Sequence, residues 1–153
     1  MTYIMESGAE TQRLIAQQRA DNVRQALALT GLRPGAHVLD AGCGPGVITG
    51  ELAEVVGPSG RVTGLELSPE RLEEARRLNA HRPEVSFVQA DIRRTGLPDA
   101  SFDYSWSQFV LEYLPDRRVA IEELMRVTRP GGKVVVSEID GLGFNNWPFP
   151  ESL

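Results

Sequence analysis

VLDAGCGPG, residues Val38 to Gly46, sets three glycines within five positions, directly after a short apolar run and an aspartate. A chain gives up side chains in this way where something must come close to its backbone. The stretch therefore reads as a strand running into a tight turn that either admits a ligand or serves the turn alone. Which of the two holds depends on what surrounds it.

Upstream, ETQRLIAQQRADNVRQALALT (Glu10 to Thr30) has helix-forming composition, with Leu14, Val23, Leu27 and neighbouring alanines as an apolar face. Pro34 and Gly35 break it, and HVLDAG follows as a buried strand. Downstream, Gly46 to Gly57 is a helix pattern stopped by GPSG, and RVTGLELS (Arg61 to Ser68) is a second strand. Ser68 followed by Pro69 is a capping residue and a first-turn proline, so PERLEEARRLNAH is a helix. VSFVQAD (Val85 to Asp91) is a third strand and SFDYSWSQF (Ser101 to Phe109) a fourth. DRRVAIEELMRVT (Asp116 to Thr128) is a helix ended by RPGG, and KVVVSEI (Lys133 to Ile139) is a fifth strand. Strands alternating with helices predict an α/β, doubly wound, mainly parallel sheet with helices on both faces. Ligands of such sheets bind at the carboxyl ends of the strands, where the strand order reverses, and the glycine stretch is at such an end.

The 153 residues suit one domain, with an N-terminal helical region (1–31), a core (36–140) and an apolar tail (141–153). A net charge of −5 argues against a general nucleic-acid or anionic-membrane surface. The single cysteine, Cys43, has no internal disulfide partner, and MTYIMESGAE has neither the basic start nor the apolar core of a signal peptide. No apolar run approaches the roughly 18 residues of a membrane span. The expected setting is cytoplasmic.

Two nucleotide readings of the glycines can be separated by spacing. Gly42, Gly44 and Gly46 give G-x-G-x-G, whereas the dinucleotide fingerprint is G-x-G-x-x-G, and Val47 holds the position that fingerprint fills with glycine. No phosphate-loop motif is present either. Glu66 lies 20 residues beyond Gly46, at the end of the second strand. An acidic residue at that spacing is placed to accept both ribose hydroxyls of an adenosine ligand. Asp91 and Ile92, after the third strand, offer an acceptor and an apolar surface suited to an adenine amino group and its flat face.

VLDAGCGPG, LELSPERLEEAR, FVQADIRRTGLPDASFD and LMRVTRPGGKVVVSE, taken in order over residues 8–140, together resemble class I S-adenosylmethionine-dependent methyltransferases. The likeness is to the ubiquinone/menaquinone-biosynthesis-type and small-molecule group. The resemblance implies S-adenosyl-L-methionine as cofactor and a Rossmann-like sheet. It puts Asp40, Gly42, Gly44, Gly46 and Thr49 at the methionine part, Glu66 at the ribose, and Leu67, Asp91 and Ile92 around the adenine. Ser107 would line the methionine or sulfur side. YIMESGAETQRLIAQ resembles a lid helix, from which Gln17 or Arg13 would reach the cofactor carboxylate.

Methyl transfer from a sulfonium is an in-line displacement that an enzyme assists largely by positioning. No catalytic residue and no metal site is assigned. His37 starts the first strand, His81 ends the second helix, and Cys43 reads as a small turn filler. Trp106 reads as core, while Glu138 and Asp140 end the fifth strand with at least one expected to face the crevice. No acceptor motif of nucleic-acid methyltransferases follows the fourth strand, where SQFV stands. The family fold continues past the fifth strand with further strands that this chain is expected to lack. Its tail, with Phe144, Trp147 and Phe149, predicts self-association as a homo-oligomer or docking of a missing C-terminal segment. Two readings follow: a methyltransferase for a small-molecule acceptor, or a cofactor-binding fragment or partner-dependent subunit without activity of its own.

Overall fold

A computed structural model describes residues 27–138. Residues 27–30 are helical. Most of the predicted N-terminal helix, Arg13 and Gln17 included, lies outside the described residues, as do Asp140 and the apolar tail. The elements run β1 (His37–Ala41), α1 (Val47–Val56), β2 (Arg61–Glu66), α2 (Pro69–Leu78), β3 (Val85–Gln89), β4 (Phe102–Gln108), a 3₁₀ turn (Leu111–Tyr113), α3 (Arg117–Val127) and β5 (Thr128–Ser137).

All the strand pairings are parallel, in the order β3-β2-β1-β4-β5. β1 is central, and its near-continuous apolar run follows from burial on both faces. Val38 packs with Ile48, Leu52, Ala53 and Val56 of α1 and with Trp106. Leu39 and Ala41, pointing the other way, pack with Ala120, Leu124 and Val127 of α3. Each Val, Leu or Ile among them stabilises the fold by about 1.5–3 kcal/mol when fully buried. The chain winds outward from β1 to β3, then returns to the far side of β1 as β4. The order therefore reverses between β1 and β4, which is the position at which ligands of this class of sheet bind.

The helix starts differ in a way that matters for the site. Ser68 Oγ accepts a hydrogen bond from the Arg71 N–H, and Pro69 occupies the first helical position of α2, as the sequence predicts. Asp116 caps α3 through the Val119 N–H. α1 has no side-chain cap; Gly46 stands at its N-cap in the left-handed region, φ 79°. The N-cap residue of α1 therefore offers its first N–H groups no side-chain acceptor beside the glycine turn.

β5 corrects one expectation. RPGG does not separate α3 from a strand beginning at Lys133; the strand begins at Thr128 and carries an irregularity instead. Phe102 pairs with Thr128, but Tyr104 pairs with Lys133, so the intervening residues bulge out of register. Gly131 absorbs the bend with φ 81°. A Cβ on Gly132 would lie 2.6 Å from the Asp103 carbonyl, so the strand passes too close to β4 for a side chain. His81 lies beyond the end of α2, whose last residue is Leu78, and is exposed.

Candidate functional site

At the carboxyl end of β1 the chain reverses through Gly42 and Cys43, whose N–H groups both bond the Leu65 carbonyl, at 2.7 and 2.9 Å. This anchors the turn to the end of β2. Glu66, the last residue of β2, then reaches back under it. Its Oε2 accepts the Gly44 N–H at 3.0 Å, and its Oε1 accepts the N–H groups of Leu67 and Ser68 at 2.8 and 2.9 Å. The carboxylate is only 2% exposed. A carboxylate offers about four lone-pair sites. With three taken by the backbone, Glu66 keeps about one for a ligand hydroxyl, and a second hydroxyl would have to share with an N–H.

The three glycines do different work. A Cβ on Gly42 (φ 80°) would stand 2.4 Å from Val110 Cγ2. A Cβ on Gly46 would meet Asn79 Nδ2 at 2.8 Å and Ala75 Cβ at 2.9 Å. Both are glycine because protein occupies the space. Among the described residues, a Cβ on Gly44 (φ 53°) would meet nothing within 4 Å. Of the three, Gly44 alone leaves its side-chain direction open.

Asp40, 2% exposed, receives the Thr49 hydroxyl on Oδ2 at 2.6 Å. Thr49 is fully buried, so its hydroxyl holds Asp40 and serves the site through that carboxyl. Burial chiefly, opposed by the Thr49 bond and helped by the Glu66 charge, pushes the Asp40 carboxyl up to about 7. Burial also raises the Cys43 thiol well above its ordinary range, which leaves it the unreactive turn filler expected.

The adenine side departs from expectation. Asp91 is engaged by its neighbour Arg93, whose Nε and Nη2 bond the two carboxylate oxygens at 3.0 and 2.5 Å, and whose N–H bonds Oδ1 at 2.8 Å. These bonds, the side-chain ones foremost, hold Asp91 below the usual carboxylate range. Ile92 is buried in the core on the α3 face. Leu67, 45% exposed, is the apolar surface this end of the crevice presents.

On the other side of the switch point, Ser107 at the end of β4 is fully buried, and its hydroxyl has no hydrogen-bond partner among the described residues. Phe109 follows in the left-handed region, φ 56°, an outlier for a bulky residue, with its N–H bonded to the Ser137 carbonyl at 2.9 Å. Glu138 does not present a free carboxylate to the crevice. It accepts the N–H groups of Val110, Leu111 and Glu112 at 3.3, 3.0 and 3.4 Å, fixing the 3₁₀ turn. Trp106 is core. Gln17 lies outside the described residues. Asn79 and Val110 have structural roles at the site that the sequence reading missed; the Asn closing α2 was the one local signal. Among the described residues no group of three or more His, Cys, Asp and Glu side chains is arranged to hold a metal.

A parallel α/β sheet with a buried acid at the end of β2 and an open glycine at the end of β1 is the arrangement of an adenosine-binding methyltransferase domain. The methyltransferase domain family matches residues 39–136, and the chain belongs to it. Demethylmenaquinone methyltransferase of Staphylococcus aureus is 41% identical over 108 residues, covering 71% of this chain and 45% of that protein. An uncharacterized 37.1 kDa protein in transposon TN4556 of Streptomyces fradiae is 44% identical over 108 residues, covering 71% of this chain and 31% of its own. The chain thus spans less than half the length of these curated relatives. The crystal structure of a SAM-dependent methyltransferase from Aquifex aeolicus superposes with a TM-score of 0.78 at 24% identity, covering 85% of this chain and 71% of that one. The family and fold imply S-adenosylmethionine as the cofactor, and the residues present fit it: an open Gly44, an acid with acceptor capacity left, and an orphaned Ser107 hydroxyl.

Proposed function

We propose that the chain binds S-adenosylmethionine at the carboxyl ends of β1, β2 and β4 and holds it for methyl transfer to a small-molecule acceptor. The observation that carries this reading is Glu66. Its carboxylate is buried at the end of β2, aimed by three backbone N–H groups beside Gly44, whose side-chain direction is open. Glu66 holds a ribose hydroxyl, Leu67 covers the adenine, and the uncapped start of α1 with Asp40 and Ser107 surrounds the methionine part. The cofactor supplies an activated methyl group; the chain's residues bind it, orient it and exclude water. The relative named for demethylmenaquinone supports a small organic acceptor. No helix among the described residues is long and apolar enough to cross a membrane, and the buried lone Cys43 suits a reducing cytoplasm.

The second reading, a cofactor-binding unit that needs further residues for turnover, is supported by the length comparison and by β5, which lies at a sheet edge among the described residues. Isothermal titration with S-adenosylmethionine, its demethylated product and NAD tests the cofactor. Heat with the first two and none with NAD is the expected result; the reverse overturns it. A methyl-transfer screen of the same preparation separates the two readings.

A further inference from the structure

Asp40 and Glu66 are both buried, on neighbouring strands and on the α1 face of the sheet. β1 and β2 are paired with Asp40 opposite Gly64, so Glu66 lies one same-face position further along. The two carboxylates are compensated unequally. Glu66 receives three backbone N–H bonds, while Asp40 receives one neutral hydroxyl, from Thr49. The groups that face Asp40 are Thr49 from α1, the Glu66 carboxylate from β2 and the Cys43 thiol of the turn. Trp106 stands in register beside it on β4. Among the described residues none of these is a cation, so an ionised Asp40 is a buried charge beside a second anion, which is costly unless a positive charge arrives.

We infer that Asp40 is a charge-sensing residue of the cofactor site, holding a proton in the free protein and releasing it to solvent when the cationic methionyl end of S-adenosylmethionine binds beside it. This rests on the cofactor reading above. Thr49 tunes the exchange, because its hydroxyl bond favours the ionised carboxyl. A titration midpoint of about 7 in the free protein makes the exchange visible near neutrality. Full ionisation in the complex releases a fraction of a proton per cofactor near pH 7, and a larger fraction at lower pH. Affinity then rises with pH through the Asp40 midpoint, until the ligand's own α-ammonium loses its proton above about 7.7.

The test is calorimetric and needs no acceptor. The 153-residue chain is titrated at pH 6 and pH 7 in buffers of different ionisation enthalpy, with S-adenosylmethionine and with 5′-methylthioadenosine, which keeps the adenosine end and has no positive charge. S-adenosylmethionine should release protons, more at pH 6 than at pH 7, and methylthioadenosine none. Asp40→Asn, which mimics the protonated carboxyl and keeps an acceptor for Thr49, should bind without proton release and with affinity flat from about pH 5.5 to 6.5, below the range in which the ligand's own ammonium titrates. Thr49→Val should shift the rise in affinity to higher pH. Binding of S-adenosylmethionine with no buffer dependence, equal release by methylthioadenosine, or undiminished release by Asp40→Asn overturns the inference and leaves the cofactor reading standing. Absence of any S-adenosylmethionine binding to the wild-type chain overturns both.

Discussion

Val110 fills the space that a side chain on Gly42 would need: a Cβ there would lie 2.4 Å from Val110 Cγ2. The loop after β4 therefore closes on the turn after β1 at the point where the strand order reverses. Glu138 fixes that loop from the end of β5 by accepting the Val110 and Leu111 N–H groups. The glycine turn is held from three strands.

Gly42→Ala should destabilise the fold by about 2–4 kcal/mol, since overpacking adds to the cost of a left-handed alanine. Gly44→Ala has only the conformational cost, about 1 kcal/mol. Thermal melts should rank them so. Titration should show the opposite emphasis, with Gly44→Ala folded but binding S-adenosylmethionine at least tenfold more weakly. A Gly44→Ala variant of normal affinity would place the ligand elsewhere.

Glu66→Gln should lose both a ligand bond and the Gly44 N–H bond, because an amide cannot accept on both of its ends. A hydrogen bond to a charged group is worth about 1.5–3 kcal/mol, so cofactor affinity should fall ten- to a hundredfold, measured by titration of a variant shown to fold by circular dichroism. Unchanged affinity would remove Glu66 from the site.

Asp40→Asn should change the pH dependence of stability as well as of binding. The folded protein holds the Asp40 proton up to about 7, against an ordinary value of 3.8. A raised value means that stability falls as pH rises from near 4 through 7 and is level above. The variant lacks that loss and should be more stable at pH 8 by on the order of 1–3 kcal/mol, as removal of an under-compensated buried charge predicts. Urea melts at pH 5 and 8 would show it; equal pH dependence in the two proteins would count against the burial of an ionisable Asp40.

Glu123 predicts an acid-side effect of opposite sign. Its carboxylate accepts the Thr95 N–H and hydroxyl at 2.8 and 2.6 Å and is paired with Arg126, tying the β3–β4 connection to α3. These bonds, that from Arg126 foremost, hold it at about 2 against an ordinary 4.5. Its contribution is complete above about 4.5 and is lost as pH falls through 2. Glu123→Gln should cost about 1–2 kcal/mol at pH 7 and flatten the acid limb of the stability profile. An unchanged limb, followed by fluorescence, would show that other carboxylates set it.

What the sequence determined by itself was everything carried by local pattern. Alternating strand and helix periods are short-range properties, and they put five strands and their helices in place. Ser68–Pro69 marked the start of α2 because a cap and a fixed φ act within one turn. The distance from Gly46 to Glu66 marked the acid because one helix and one strand of ordinary length carry the chain back to the same end of the sheet.

Tertiary structure alone decided how those residues share their work, because hydrogen-bond capacity and space are claimed by partners remote in sequence. Gly42 and Gly46 look like Gly44 in the chain, yet Val110 and α2 occupy their space while Gly44 stays open. Glu138 ends a strand as a free acid would, yet its lone pairs go to the 3₁₀ turn. RPGG reads as a stop, and only pairing with β4 makes it a bulge within β5. Thr49 and Asp40 are a helix residue and a strand residue until folding buries them together; the loss of solvent around that carboxyl, with the Glu66 anion the charged group that faces it among the described residues, is what pushes the Asp40 carboxyl up toward neutral pH.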